Sequence, residues 1–330
     1  MMDRLLGMLR AAADPTRLRL LLLLAKAELT VSEITDILGQ SQPRVSRHLR
    51  LLCDAGLLER VKEGAWVFYR GADGGEAAKL TRTFNEFLDS AAEPLLCSDL
   101  KRLSEVRAER AQQAAGYFAA NAAQWEKIRA LHVPESEVER SLVRLLNDAS
   151  LGQVLDAGTG TGRILEVLSA HIKRGIGIDS SPEMLTIARD RLAKAGITNC
   201  QVRRGDVYRL PFTDGNANQG FDAVVFHQVL HFLDDPQAAI REARRVMRAG
   251  GRILVADFAP HELEFLRTDY AHRRLGFSNG EVETWFRSAG LKAVATESFA
   301  APRGTETLSV VIWMGAQEKA GLSSRTEAAA

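Results

Sequence analysis

Three aspartates close apolar runs from residue 156 onward in this 330-residue sequence, and glycines alternate behind the first of them. Val154-Leu-Asp-Ala-Gly-Thr-Gly-Thr-Gly162 reads as a buried strand, a tight turn and the start of a helix. That grammar lets backbone come close to a nucleoside ligand. Asp156 can order the loop or bind an amino group. Gly158 and Gly160 withhold side chains where a ligand must approach, with Thr159 between them and Gly162 closing the turn. Asp179 ends a second run, where a carboxylate can accept both hydroxyls of a ribose. Ser180 to Met184 then starts a helix and sets Met184 to cover an adenine ring. Gly205-Asp206-Val207 ends a third run, where Asp206 can accept the adenine amino hydrogens. His227, Gln228 and His231 follow a fourth run and Asp257 ends a fifth. His227, His231 and Asp257 are the candidates for moving a proton. The four-residue spacing of the two histidines also suits a metal, although no third ligand is evident, or a pair of structural caps.

A second set of residues suits a different chemistry. Arg44, Arg47 and Arg50 occur with no acid between Ser41 and Leu52. In a helix, Val45, Leu49 and Leu52 form an inward stripe, and Gln42, Arg44, Ser46 and Arg47 lie largely off it. Arginine can bond a guanine edge bidentately, glutamine an adenine edge, and both hold phosphates. Arg60 and Lys62 add two backbone contacts in the hairpin that follows.

Two kinds of domain must position these groups. Asp14-Pro15 starts a Leu-rich helix over 16–26, Thr30 to Leu38 forms the next, Gly39-Gln40 turns the chain, and a helix runs from about Ser41 to Ala55. Residues 57–70 read as two strands about Glu63-Gly64. Residues 73–150 read as long amphipathic helices punctuated by Pro94 and Pro134, without a Gly/Ser-rich linker. From 151 on, strands at 153–157, 174–178, 200–204, 221–226 and 251–257 alternate with helices at 161–170, 182–194 and 236–248. That alternation marks a parallel sheet wrapped by helices, with 292–300 and 307–315 as a closing antiparallel pair. The tail, 317–330, reads as disordered.

Bulk composition narrows the setting. Forty-three basic residues against 42 acidic ones give a net charge of +1, so DNA affinity must come from a local basic face. Three scattered cysteines, Cys53, Cys97 and Cys200, form no disulfide framework or zinc knuckle, and no metal site is expected. The first residues lack a signal-peptide core, and Leu18 to Ala25 is too short to span a bilayer. A cytoplasmic protein without membrane contact is expected.

Two resemblances follow. Residues 11–70, with Ala-Asp-Pro-Thr-Arg-Leu-Arg-Leu-Leu and Ser-Gln-Pro-Arg-Val-Ser-Arg-His-Leu, resemble the ArsR/SmtB transcriptional regulators. That implies a winged helix-turn-helix homodimer on double-stranded, palindromic operator DNA, usually a repressor. The Cys-x-Cys by which many such regulators hold metal is replaced by Leu29-Thr-Val-Ser-Glu33, and residues 73–110 hold no histidine, which argues against metal sensing. Residues 115–315 resemble the class I S-adenosylmethionine-dependent methyltransferases, with Phe221-Asp-Ala-Val-Val-Phe226 as fourth strand. This implies S-adenosylmethionine or S-adenosylhomocysteine at Asp156, Gly158, Thr159, Gly160, Gly162, Asp179, Ser180, Met184, Asp206, Val207 and His227. It also makes Tyr117-Phe118 with Trp125 a helical lid, where helix packing is the alternative.

The expected fold is multidomain, α+β and α/β: a winged helix-turn-helix and dimerisation domain at 1–92, a helical linker and lid at 93–135, a Rossmann-like methyltransferase domain at 136–316, and the tail. Two functions fit. One is a regulator whose methyltransferase-like domain binds the nucleoside as a signal. The other is a working small-molecule methyltransferase with an autoregulatory DNA-binding domain. A DNA methyltransferase is disfavoured, for want of an Asn/Asp-Pro-Pro-aromatic tetrad or a Pro-Cys dipeptide.

Overall fold

The computed structural model describes residues 2–63, 66–72, 75–88, 93–122, 135–146, 151–216, 219–300 and 308–317. Residues 1–113 with 262–264 form one compact unit, and 114–261 with 265–330 the other. Trp125, Pro134 and the tail beyond Gln317 lie outside the described residues.

The first unit opens with α1 (Met2–Ala12) and α2 (Pro15–Leu24). Asp14 caps α2 by accepting the Arg17 N–H at 3.1 Å, with Pro15 in the first turn. After the short β1 (Leu29–Thr30), α3 (Val31–Leu38) carries a capping box between Thr30 and Glu33 and ends at Gly39, whose φ of +62° is left-handed. Next comes α4 (Gln42–Asp54), so Ser41 and Ala55 are its caps rather than its first and last residues. Its Val45, Leu49 and Leu52 are fully buried in one core with Leu20, Leu21, Ile34 and Ile37. The hairpin of β2 (Leu58–Glu63) and β3 (Trp66–Gly71) pairs antiparallel, and β1 adds a third strand beside β3. The helices α5 (Gly75–Phe87) and α6 (Pro94–Asn121) follow. Leu103 of α6 joins the same core, and Asp99 of α6, almost fully buried, takes two bonds from Arg19 at 2.6 and 2.7 Å.

The second unit is built on a seven-stranded sheet. Helix α7 (Glu135–Leu146) precedes β4 (Gln153–Ala157), α8 (Arg163–Leu168), β5 (Arg174–Asp179), α9 (Pro182–Lys194) and β6 (Cys200–Arg204). Then come β7 (Phe221–His227), α10 (Pro236–Val246), β8 (Met247–Phe258), α11 (Phe265–Asp269), α12 (Asn279–Ser288), β9 (Lys292–Phe299) and β10 (Val310–Ala316). Strand order is β6-β5-β4-β7-β8-β10-β9, parallel from β6 to β8, with β10 and β9 antiparallel. All seven residues of β7 are buried, as expected of a central strand covered on both faces. Order reverses between β4 and β7, where open sheets leave a crevice at their carboxyl ends.

Several boundaries differ from expectation. Gly162 takes φ +79° and caps α8, so the helix starts at Arg163 and ends at Leu168, followed by one 3-10 turn. Met247 is already extended and pairs with Phe221, which ends α10 two residues early and lengthens β8. The helix α12 was not anticipated, although Ser278 and Glu281 form its capping box and were readable as such.

Candidate functional site

On α4 the polar residues stand where the helical period places them. Gln42, Arg44, Arg47 and Arg50 are exposed, and Ser46 is half-buried. Arg60 and Lys62 are exposed on β2. The α3 helix that braces α4 is held by α6 at both ends. Arg102 of α6 donates to the Ile37 carbonyl at 2.8 Å, and Arg110 donates to Glu33 at 3.0 Å through Nε. Burial pushes the Glu33 carboxyl up, but Arg110 and the Thr30 N–H outweigh it and hold it below the usual range.

The glycine loop is ordered by the two aspartates that flank it. Asp156, almost fully buried, accepts the Thr159 hydroxyl at 2.6 Å. Asp179 accepts the Gly160 N–H at 2.9 Å and the Ser181 N–H at 2.9 Å, tying the end of β5 to the loop after β4. Desolvation raises the Asp179 carboxyl, against the N–H groups of Ser181, Gly160 and Ser180. Gly158 has φ +80°, and a Cβ there would lie 2.5 Å from a methyl of Val229, so only glycine fits. Ser180 is exposed beside Asp179, and Met184 is buried in the first turn of α9 with its N–H on Ser181. Strand β6 stops at Arg204, before Asp206, which is exposed and accepts the Tyr208 N–H at 2.9 Å. Val207 is half-buried against the sheet core.

The two histidines lie in different elements. His227 is the buried last residue of β7, whereas His231 sits in a 3-10 turn, Leu230–Phe232. No helix joins them, so their four-residue spacing does not put them on one face. His231 instead pairs with Asp257: its Nδ1 lies 2.7 Å from Oδ1. Asp257, fully buried at the end of β8, also accepts the N–H groups of Leu230 at 2.9 Å and Phe258 at 2.8 Å. The His231 ring lies 4.2 Å from that of His272 and 4.8 Å from that of Phe258, and Phe118 of α6 meets Phe232 at 4.8 Å. Burial, followed by His231 and Arg267, pushes His261 down to about 4. Sequence spacing gave no sign of His261, His272 or Phe258, because the loops after β8 bring them together. Among the described residues no group of three His, Cys, Asp or Glu side chains can hold a metal ion.

Comparison with known proteins follows the same division. The family described as "Methyltransferase domain" matches residues 155–255, and "Bacterial regulatory protein, arsR family" matches 14–60. An uncharacterized methyltransferase from Bacillus subtilis, YcgJ, is 32% identical over 33% of this chain and 42% of its own length. Its crystal structure covers 55% of this chain and 98% of that one, at 20% identity and a TM-score of 0.48. A demethylmenaquinone methyltransferase from Thermus thermophilus is 30% identical over 51% of this chain and 77% of its own length. Across four of the curated relatives, YcgJ among them, the chain spans 31–47% of their lengths. With its carboxylate-tied glycine loop and parallel sheet, the chain belongs to the methyltransferase family of the Thermus relative and matches, at residues 14–60, the bacterial regulatory proteins of the arsR family.

Proposed function

We propose that this protein is a DNA-binding transcriptional regulator, a repressor, whose methyltransferase domain binds S-adenosylmethionine or S-adenosylhomocysteine as its signal. The observation that carries this reading is the open basic face of an arsR-type α4 on the same chain as a glycine loop tied to Asp179. Gln42, Arg44, Ser46, Arg47 and Arg50 read and grip operator DNA, and Arg60 and Lys62 hold its backbone. The nucleoside fits the residues present: Asp179, which takes the N–H groups of Gly160, Ser181 and Ser180, keeps lone pairs for a further donor beside the glycine loop. Asp179 would hold the ribose, Met184, Asp206 and Val207 the adenine. Asp156, Thr159, Gly160, Gly162, Ser180 and His227 shape the remainder.

Helix α6 is the proposed route of coupling. It contributes residues to both units, bracing α3 through Arg102 and Arg110 and packing Phe118 on Phe232 and Tyr117 on Tyr270. The proposed organisation is a winged-helix and dimerisation domain at 1–92, a helical linker and lid at 93–135 and the methyltransferase domain at 136–316. A homodimer is supported by the apolar residues α1 leaves exposed, Met2, Leu5, Leu6 and Leu9, with Phe87 and Leu95 nearby in sequence on α5 and α6. The cytoplasm suits such a regulator. The test is binding of the protein's own upstream DNA by fluorescence anisotropy, with and without S-adenosylhomocysteine, in wild type and Asp179→Ala. A ligand-dependent shift that the variant loses supports the reading; operator binding indifferent to the nucleoside overturns it.

The His231–Asp257 pair favours a second activity, methyl transfer to a small molecule. S-adenosylmethionine would supply an electrophilic methyl group on sulfur. Asp257 holds His231 by Nδ1, which leaves Nε2 as the atom that can take a proton from a nucleophile. Asp257 accepts backbone N–H groups as well, so it remains an acceptor and fixes the imidazole tautomer. His227 lines the same end of the sheet. Demethylmenaquinone methyltransferases are among the relatives, matched over 52% of the length of one and 77% of another.

A further inference from the structure

Gln228 stands out in the second unit for its strain and its burial. It is one of two non-glycine residues with positive φ, at +53°, among the described residues. A residue other than glycine, asparagine or aspartate rarely takes that conformation. It is 6% exposed, and its amide Nε2 is buried without a hydrogen-bond partner among the described residues. Leaving a buried donor unpaired costs stability that a packed apolar side chain would not. Strain and an unpaired polar group at one position mark a residue kept for a ligand rather than for the fold.

Its neighbours say which ligand. The Gln228 N–H donates to the Ala256 carbonyl at 2.7 Å, and the next residue of β8 is Asp257. Val229, the following residue, packs over Gly158. Gln228 therefore follows β7 at the reversal between β4 and β7, between that strand's end and the 3-10 turn of His231, with its N–H tied to β8 one residue before Asp257. The proposed nucleoside contacts gather at the ends of β4, β5 and β6, with His227 beside Gln228 at the end of β7. Gln228 lies between that edge of the nucleoside site and the turn of His231, whose pairing with Asp257 marks the side of the acceptor.

We infer that Gln228 selects the methyl acceptor, its buried amide N–H donating to an oxygen lone pair of a hydroxyl-bearing small molecule. This rests on the methyl-transfer reading above. An amide in a closed site discriminates strongly against a ligand that lacks the matching oxygen, because the donor is then left unpaired.

The test uses the full chain saturated with S-adenosylhomocysteine and three probes, catechol, phenol and toluene, with binding followed by saturation-transfer NMR. Wild type is expected to bind catechol and phenol roughly tenfold more tightly than toluene, the size of one net hydrogen bond. Gln228→Gly accepts the positive φ without strain, so it folds, with a Tm no lower than that of wild type. It should lose the preference for hydroxyl probes while keeping its affinity for S-adenosylhomocysteine. Gln228→Met, which keeps the length and removes the amide, should lose it too. Unchanged selectivity in both variants overturns the inference, as does a wild type that does not prefer the hydroxyl probes. A fall in Tm with selectivity intact assigns Gln228 to structure. Failure of wild type to bind S-adenosylhomocysteine at all would instead refute the nucleoside reading.

Discussion

Replacing Gly158 by alanine tests whether the glycine loop is shaped by close packing or merely by conformational freedom. Two penalties add at this position. The φ of +80° costs an L-residue about 1–2 kcal/mol. The new Cβ would also lie 2.5 and 2.7 Å from the two methyls of Val229, and 3.2 Å from its Cβ. A β-branched side chain cannot move both methyls aside by changing rotamer, so overpacking adds about 1–3 kcal/mol. Gly196→Ala supplies the control: its φ is +66°, and nothing lies within 4 Å of its would-be Cβ. The difference between the two variants isolates the Val229 contact. For a domain of this size each kcal/mol moves Tm by about 2–4 °C. Gly158→Ala should thus melt roughly 3–10 °C below Gly196→Ala in the calorimetric transition that S-adenosylhomocysteine shifts. It should also bind that nucleoside more weakly, whereas Gly196→Ala should bind it as wild type does. Equal melting of the two variants would refute the packing explanation.

Three further outcomes are expected. Asp257→Asn sets an amide N–H against backbone donors in a buried site and should destabilise the second unit by about 1–3 kcal/mol, measured by urea unfolding, while abolishing the pH dependence of any methyl transfer. His261 is held near 4 against an ordinary 6.5, so its neutral form is fully present above pH 6.5. Stability is then lost as pH falls from 6.5 towards 4, where the unfolded chain takes up a proton the folded chain refuses; His261→Gln should flatten thermal stability across that window. Arg47→Ala should weaken DNA binding and, if the contact is to phosphate, lower the salt slope by about one, a change visible in anisotropy titrations at several salt concentrations.

Much of this architecture was legible because local chemistry and global fold agree. Asp14-Pro15, the Thr30–Glu33 box and Gly39 each bound a helix by a backbone requirement that a reader can recognise in one dimension. The strand ends at Asp156, Asp179 and Asp257 follow from apolar runs closed by a carboxylate. What escaped was tertiary in origin. His231 and Asp257 are 26 residues apart, and nothing in either segment announces the bond between them. Four-residue spacing does not bring His227 and His231 to one face, because a strand end and a 3-10 turn, not a helix, connect them. Gln228 was visible only as one of several polar residues after β7. Its positive φ is dictated by the pairing of its N–H with β8 and by Val229 against the loop, neither of which a sequence displays.

The proposed regulation requires the nucleoside site and the DNA-reading helix to share one equilibrium. Calorimetric titration of S-adenosylhomocysteine into the protein, free and saturated with its operator, tests this most directly. Coupling requires the two dissociation constants to differ by the same factor by which the nucleoside shifts operator affinity, typically about 5–150-fold. Identical constants for free and DNA-bound protein would mean two independent modules on one chain and would contradict the account.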